Sequence, residues 1–206
     1  MKQLFLILMF IPVFTFAQDE EKKTHFQVGA GFSFGFFNPS DINDYIADDL
    51  DFHNMIVQTG FSGMFLNIGG RFFVGYKTDI NLGVETFLEG AIGPKIISVN
   101  GGGGMAYLFN RFSPGVKLTY NLQLSKKSSL VFGTGPMFNN MNFKVDGDKI
   151  ISGASLGSKF EVAYQFNQRH IAPRAFIDVD FAKVKSKVIE MNYSGVQIGV
   201  AFSGIW

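Results

Sequence analysis

The sequence predicts an all-β chain, an eight-stranded antiparallel up-and-down transmembrane β-barrel formed as one domain by residues 18–206. Three observations carry that prediction. Eight segments alternate between apolar and small or polar residues with period two, the repeat of a strand whose two faces meet different surroundings. The connections between them are short and long by turns, as in a barrel with tight turns at one end and larger loops at the other. The last eleven residues put Val196, Ile198, Val200, Phe202 and Trp206 on one face, against Gln197, Gly199, Ala201 and Ser203 on the other.

The first segment, His25 to Phe37, is the most regular: Phe26, Val28, Ala30, Phe32, Phe34 and Phe36 alternate with Gln27, Gly29, Gly31, Ser33 and Gly35. The second, 60–77, sets Leu66, Ile68, Phe72, Val74 and Tyr76 against Asn67, Gly69, Arg71 and Gly75. The third, 79–93, sets Leu82, Val84, Thr86, Leu88 and Ile92 against Gly83, Glu85 and Glu89. The fourth, 105–122, is clear in its second half, where Val116, Leu118 and Tyr120 oppose Lys117, Thr119 and Asn121; Pro114 interrupts the first half, because proline removes a ladder donor. The fifth, 129–138, the sixth, 154–166, and the seventh, 171–183, follow the same rule, and the eighth begins near Met191. Tight turns are expected at 77–79, 125–128 and 167–170, and longer loops at 38–59, 94–104, 139–153 and 184–190.

Composition supports a membrane location. The chain has 25 phenylalanines and 24 glycines, more aromatic bulk than a soluble domain of 206 residues ordinarily buries. A barrel in lipid carries such residues on its outside, and closure leaves no backbone group unpaired in the hydrocarbon. A soluble β-sandwich or lipocalin-like barrel is the alternative fold, with the two faces exchanged. Residues 1–17 read as a cleaved signal peptide: Lys2, an apolar stretch from Leu4 to Phe16, and Thr15-Phe16-Ala17 before Gln18. That stretch is too short for the ~20 residues of a spanning helix. The absence of cysteine excludes disulfides, thiolate metal sites and a lipid-modified cysteine. Without Lys2 the basic and acidic residues balance, which argues against a nucleic-acid surface.

The polar face gathers the mid-strand charges. Arg71, Lys117, Lys159 and Arg174 share it with Glu85, Glu89, Glu161, Asp178 and Asp180. Eight strands enclose a space just wide enough for side chains to fill. Nearly balanced charges there are expected to pair across the lumen and plug it; a narrow ion or solute path is the competing reading. The glycines on the same face are expected to narrow the barrel or leave small water pockets.

Other motifs carry little. Gly29-Ala30-Gly31 lies inside a strand and is no dinucleotide loop; Gly101 to Gly104 lacks the lysine-serine of a P-loop. In the 38–59 loop, Ser40 is suited to cap a short amphipathic helix with Ile42, Ile46 and Leu50 on one face, although a solvated acidic loop explains the same residues. Its five aspartates lack the ordered spacing and glycine of a calcium loop. Asn192-Tyr193-Ser194 has the form of a glycosylation sequon and is read as chance. Of the three histidines, only His53 falls in an external loop, and no histidine, serine and acid converge. No catalytic, cofactor or metal residue is therefore assigned.

The alternating strands and the terminal Trp206 make the chain resemble the small outer-membrane β-barrel proteins of Gram-negative bacteria, OmpA/OmpX-like in architecture. The aromatic- and glycine-rich strands and the Phe16-Ala17-Gln18 ending are similar to the PorT-like outer membrane protein beta-barrel family. The resemblance implies insertion into the bacterial outer membrane, contact with its lipids, and recognition of Val196, Ile198, Val200, Phe202 and Trp206 by the barrel insertion machinery. It implies no common catalytic residues. The expected role is that of a non-enzymatic barrel acting structurally or through its external loops, with an envelope partner at the 38–59 loop. A small passive porin-like channel and a lipid-modifying enzyme are the alternatives.

Overall fold

A computed structural model describes residues 25–37, 40–52, 65–98, 104–145, 148–166, 171–185 and 190–205. The strands are β1 (His25–Phe37), β2 (Phe65–Lys77), β3 (Leu82–Ser98), β4 (Gly104–Ser125), β5 (Ser128–Val145), β6 (Asp148–Phe166), β7 (Ile171–Lys185), β8 (Glu190–Asn192) and β9 (Gly195–Ile205), with one helix, α1 (Ser40–Phe52). Each long strand pairs antiparallel with its neighbours in sequence, and β9 closes the ring by pairing with both β7 and β1. The ring therefore has eight staves. Among the described residues, the three-residue β8 pairs only with the end of β7.

The register fixes the barrel's shape. Following partners from His25 through Lys77, Gly83, Thr119, Gly133, Glu161, Asp178 and Gln197 returns to β1 at Gly35, ten residues further along. A stagger of that size tilts the strands by about 40°. Below the rim the outside is apolar: Phe32, Ile68, Leu88, Leu118, Phe160 and Ile198 are all exposed. Such a surface on a closed barrel is matched by lipid and not by water.

The strands are unequal, and the excess lies at the loop end. About 9–11 residues cross a bilayer, whereas β4 has 22, β5 has 18 and β6 has 19. Along the extra length the alternation inverts. On β5, Phe132 and Phe138 face outward lower down, but further up the outward residues are Asn140, Asn142 and Lys144, while Met141, Phe143 and Val145 are buried inside. On β7, Lys183 and Lys185 face out and Ala182 and Val184 face in. Outside the lipid the solvent is water, so the apolar face turns inward.

This inversion corrects two expected loops. Of the connection placed at 139–153, residues 139–145 and 148–153 are the paired upper part of β5 and β6, and of that placed at 94–104, residues 94–98 and 104 are strand, paired from Ser98↔Gly104 downward. The eighth stave, expected from near Met191, starts at Gly195, because the chain first folds back on β7 as β8. Residues 1–24 and Trp206, and with them the signal peptide and the terminal aromatic, lie outside the described residues, as does the 53–59 part of the first loop.

The helical reading of that loop matches the structure over Ser40–Phe52. Asp41 lies in the first turn of α1, where the macrodipole favours a negative charge. Its Ile46 is fully buried, and Tyr45 meets Phe143 edge-on at 6.3 Å. Together with Phe37, Tyr107, Phe109, Val184 and Tyr193 they form an apolar cap above the membrane-spanning part.

Candidate functional site: the closed lumen

The pleat places the charged residues before any attraction acts. Arg71 stands opposite Glu89 on the neighbouring strand, Glu85 opposite Lys117, Lys159 opposite Asp180, and Glu161 opposite Asp178. All nine expected residues point inward and are buried, and the structure adds a tenth, Arg111. Five cations thus face five carboxylates.

Their pairs run along the wall and across the lumen. The Arg71 guanidinium donates to Glu161 at 2.6 Å and to Glu89 at 3.1 Å, and also meets Asp178. Lys159 reaches Asp180 at 2.6 Å and both Glu89 and Asp178 at 3.1 Å. Arg111 pairs with Asp180 at 2.6 Å and with Glu89. Lys117 bridges Glu85, at 2.8 Å, and Glu161. Arg174 donates to Glu85 at 2.8 Å, and the Gln165 side-chain oxygen accepts from it at 3.0 Å. Gln197 ties β9 into the set: its amide donates to Glu89 at 2.7 Å and Asp180 at 2.6 Å, and its oxygen accepts from Ser33 at 2.9 Å. Burial of one such ion alone costs several kcal/mol; in a multiply bonded set each desolvated charge is met by several partners.

Three of the glycines receive aromatic rings. Phe73 stands opposite Gly29, Phe87 opposite Gly115, and Phe176 opposite Gly199. Each ring lies over the glycine that faces it, where a Cβ would fall 2.6 Å from a Phe73 ring carbon or 2.8 Å from one of Phe87 or Phe176. At these three positions a ring fills the space beside the glycine. Each ring also lies under a cation: Arg71 is 4.3 Å from the Phe176 centroid, Arg174 4.9 Å from Phe73, and Lys117 5.7 Å from Phe87. Each contact of this kind contributes about 0.5–2 kcal/mol. Gly199→Ala should push the Phe176 ring out of place and destabilise the barrel by about 1–3 kcal/mol, read as a shift in its urea unfolding midpoint.

Above the ions comes the apolar cap. Below them, near the turn end, a cavity of about 10 Å³ is lined by Gln27, Lys77, Glu85, Thr119, Asn121 and Arg174. That is room for about one water molecule. The His25 side chain, His53 and His170 lie outside the described residues, and among the described residues no acidic or histidine group is arranged to hold a metal.

A closed ring of eight antiparallel strands, apolar outside and charged within, has close counterparts among solved structures. Neisserial surface protein A matches with a TM-score of 0.62 and 13% identity, over 87% of this chain and 96% of that one. The fold is that of a small outer-membrane β-barrel. OprG from Pseudomonas aeruginosa matches at 0.56 and 12%, over 90% of this chain and 97% of that one. A major outer membrane protein from Thermus thermophilus matches at 0.54 and 9%, over 89% and 99%. No family model and no curated protein sequence matches the chain, so the resemblance to the PorT-like family rests on the aromatic- and glycine-rich strands and the Phe16-Ala17-Gln18 ending.

Two participants escaped the sequence. Arg111 shares the parity of Lys117, and counting back across Pro114 would have found it. Tyr193 lies between two strands, where no period applies.

Proposed function

We propose that the chain is a non-enzymatic integral barrel of the bacterial outer membrane, closed to ions, that acts through the structure it raises above the lipid. The observation that carries this reading is the network of cross-lumen ion pairs, with the apolar cap above it at the loop end. A passage for solutes needs unpaired polar walls and water, whereas here each of the five cations pairs with at least two carboxylates. The raised wall of β3 to β6, with α1 packed inside it, is the surface offered to an envelope partner. The outward face of Val196, Ile198, Val200 and Phe202, ending at Trp206, is the part read by the insertion machinery.

Purified protein in planar bilayers should show no stable openings. Stable single-channel steps that respond to neutralising Arg71 or Glu85 would favour a small passive pore. For the insertion face, Trp206→Ala should lower the fraction assembled into membranes. Unchanged assembly would remove that residue from the signal.

A further inference from the structure

We propose that Asn192-Tyr193-Ser194 is a latch, which carries one tyrosine down from the loop end and controls access from outside to the ion network. The proposal rests on the closed-lumen reading and adds to it the element that does the closing.

Tyr193 is the side chain where cap and network meet. Its ring stacks on Phe109 at 4.8 Å with the planes 10° apart, and against Phe37 at 4.4 Å. The Arg111 guanidinium lies 4.7 Å from the ring centroid, and that arginine is bound to Glu89 and Asp180. The phenol oxygen accepts from the Asn67 amide at 2.6 Å. The backbone aims the ring. Asn192 Oδ1 accepts from the Ser194 hydroxyl at 2.9 Å and from its N–H at 3.3 Å, and the Tyr193 N–H donates to Ala182 O at 2.7 Å. A tripeptide with the form of a sequon is thus a side-chain-closed turn.

What ties β8 itself to the sheet is slight. β8 is three residues long and pairs with β7 alone, and α1 packs against it. Short, singly paired strands belong to the parts of a protein that open at low free energy. A pull on α1 therefore reaches Arg111 through β8 and Tyr193, a contiguous path from the external surface to the charges.

The chain has no cysteine, so single thiols report cleanly. Ser113 stands opposite Glu89 on the adjacent strand and is buried. Ser113→Cys, in protein reconstituted into vesicles, should react slowly with a charged thiol reagent added outside. Adding Tyr193→Ala should speed the reaction about tenfold or more, and Tyr193→Phe, which keeps the ring, should restore slow reaction. Thr119→Cys, beside the turn-end cavity, should be indifferent to all these changes. Where Tyr193→Ala does not yield folded barrel, Asn192→Ala/Ser194→Ala, which removes only the turn, decides. Equal protection of Cys at 113 in a folded latch variant would overturn the latch. Fast modification with the latch intact would instead overturn the closed lumen.

Discussion

Replacing Glu89 by alanine should destabilise the barrel by about 3–5 kcal/mol, the range for removing one partner from a buried charge set. This carboxylate meets Arg71 and Lys159 at 3.1 Å, meets Arg111, and accepts from Gln197 at 2.7 Å. Its loss leaves an excess of cations buried in the lumen. Glu89→Gln keeps the volume and should have a smaller effect of the same sign. Combining it with Lys159→Met restores charge balance and should recover part of the loss, because the pair's coupling, and not either residue alone, is what the network supplies. Urea titration of barrel in lipid vesicles measures this, with the single tryptophan as reporter. Lys126→Ala, in the exposed Ser125–Ser128 turn, provides a control expected within about 0.5 kcal/mol of wild type. A Glu89→Ala barrel as stable as that control would show that the ion pairs contribute little to holding the staves together.

The same residues show which parts of the molecule are legible in the sequence. Glu89 and eight other charges fall on one face by counting in twos, since inside the membrane the outer residues must be apolar and any charge must face in. Arg111 obeys the count but was hidden by Pro114. The pairing of β4 with β3 runs straight through that proline, whereas the pairing with β5 passes from Phe112 to Gly115. A proline can thus interrupt one ladder and leave the pleat, and hence the parity, intact.

The cap was harder to read, for a physical reason. Period two survives in 139–145, but the face that was apolar below becomes polar above the lipid, and an alternation that changes sign looks like its end. The rings over Gly29, Gly115 and Gly199 were out of reach for another reason. Each is a cross-strand pair, and the register that brings the two residues together is a property of the closed ring.

Ile46→Asp should release the cap and leave the barrel standing. Ile46 is fully buried beside Tyr45 and within the cluster that includes Phe143, Tyr107 and Val184. A carboxylate placed there without a partner costs several kcal/mol, and an isolated helix of 13 residues is marginal in water. The helix should therefore leave its seat before it tolerates the charge. The strand ladders and the ion pairs lie below and share no side chain with Ile46, so the folded barrel should keep its different gel mobility before and after boiling. External protease should now cut within 40–52, and the thiol at 113 should become reactive, since α1 bears on Tyr193 through β8. Ile46→Ala, which leaves a void without a charge, should weaken the same contacts by about 2–5 kcal/mol and give partial protection. If Ile46→Asp instead abolished the heat-modifiable form, cap and barrel would be one cooperative unit, and the raised wall would be a stay for the membrane-spanning ring. Retention of that form with a protease-open helix would mark the cap as a separate element, free to move on a barrel that stays shut below it.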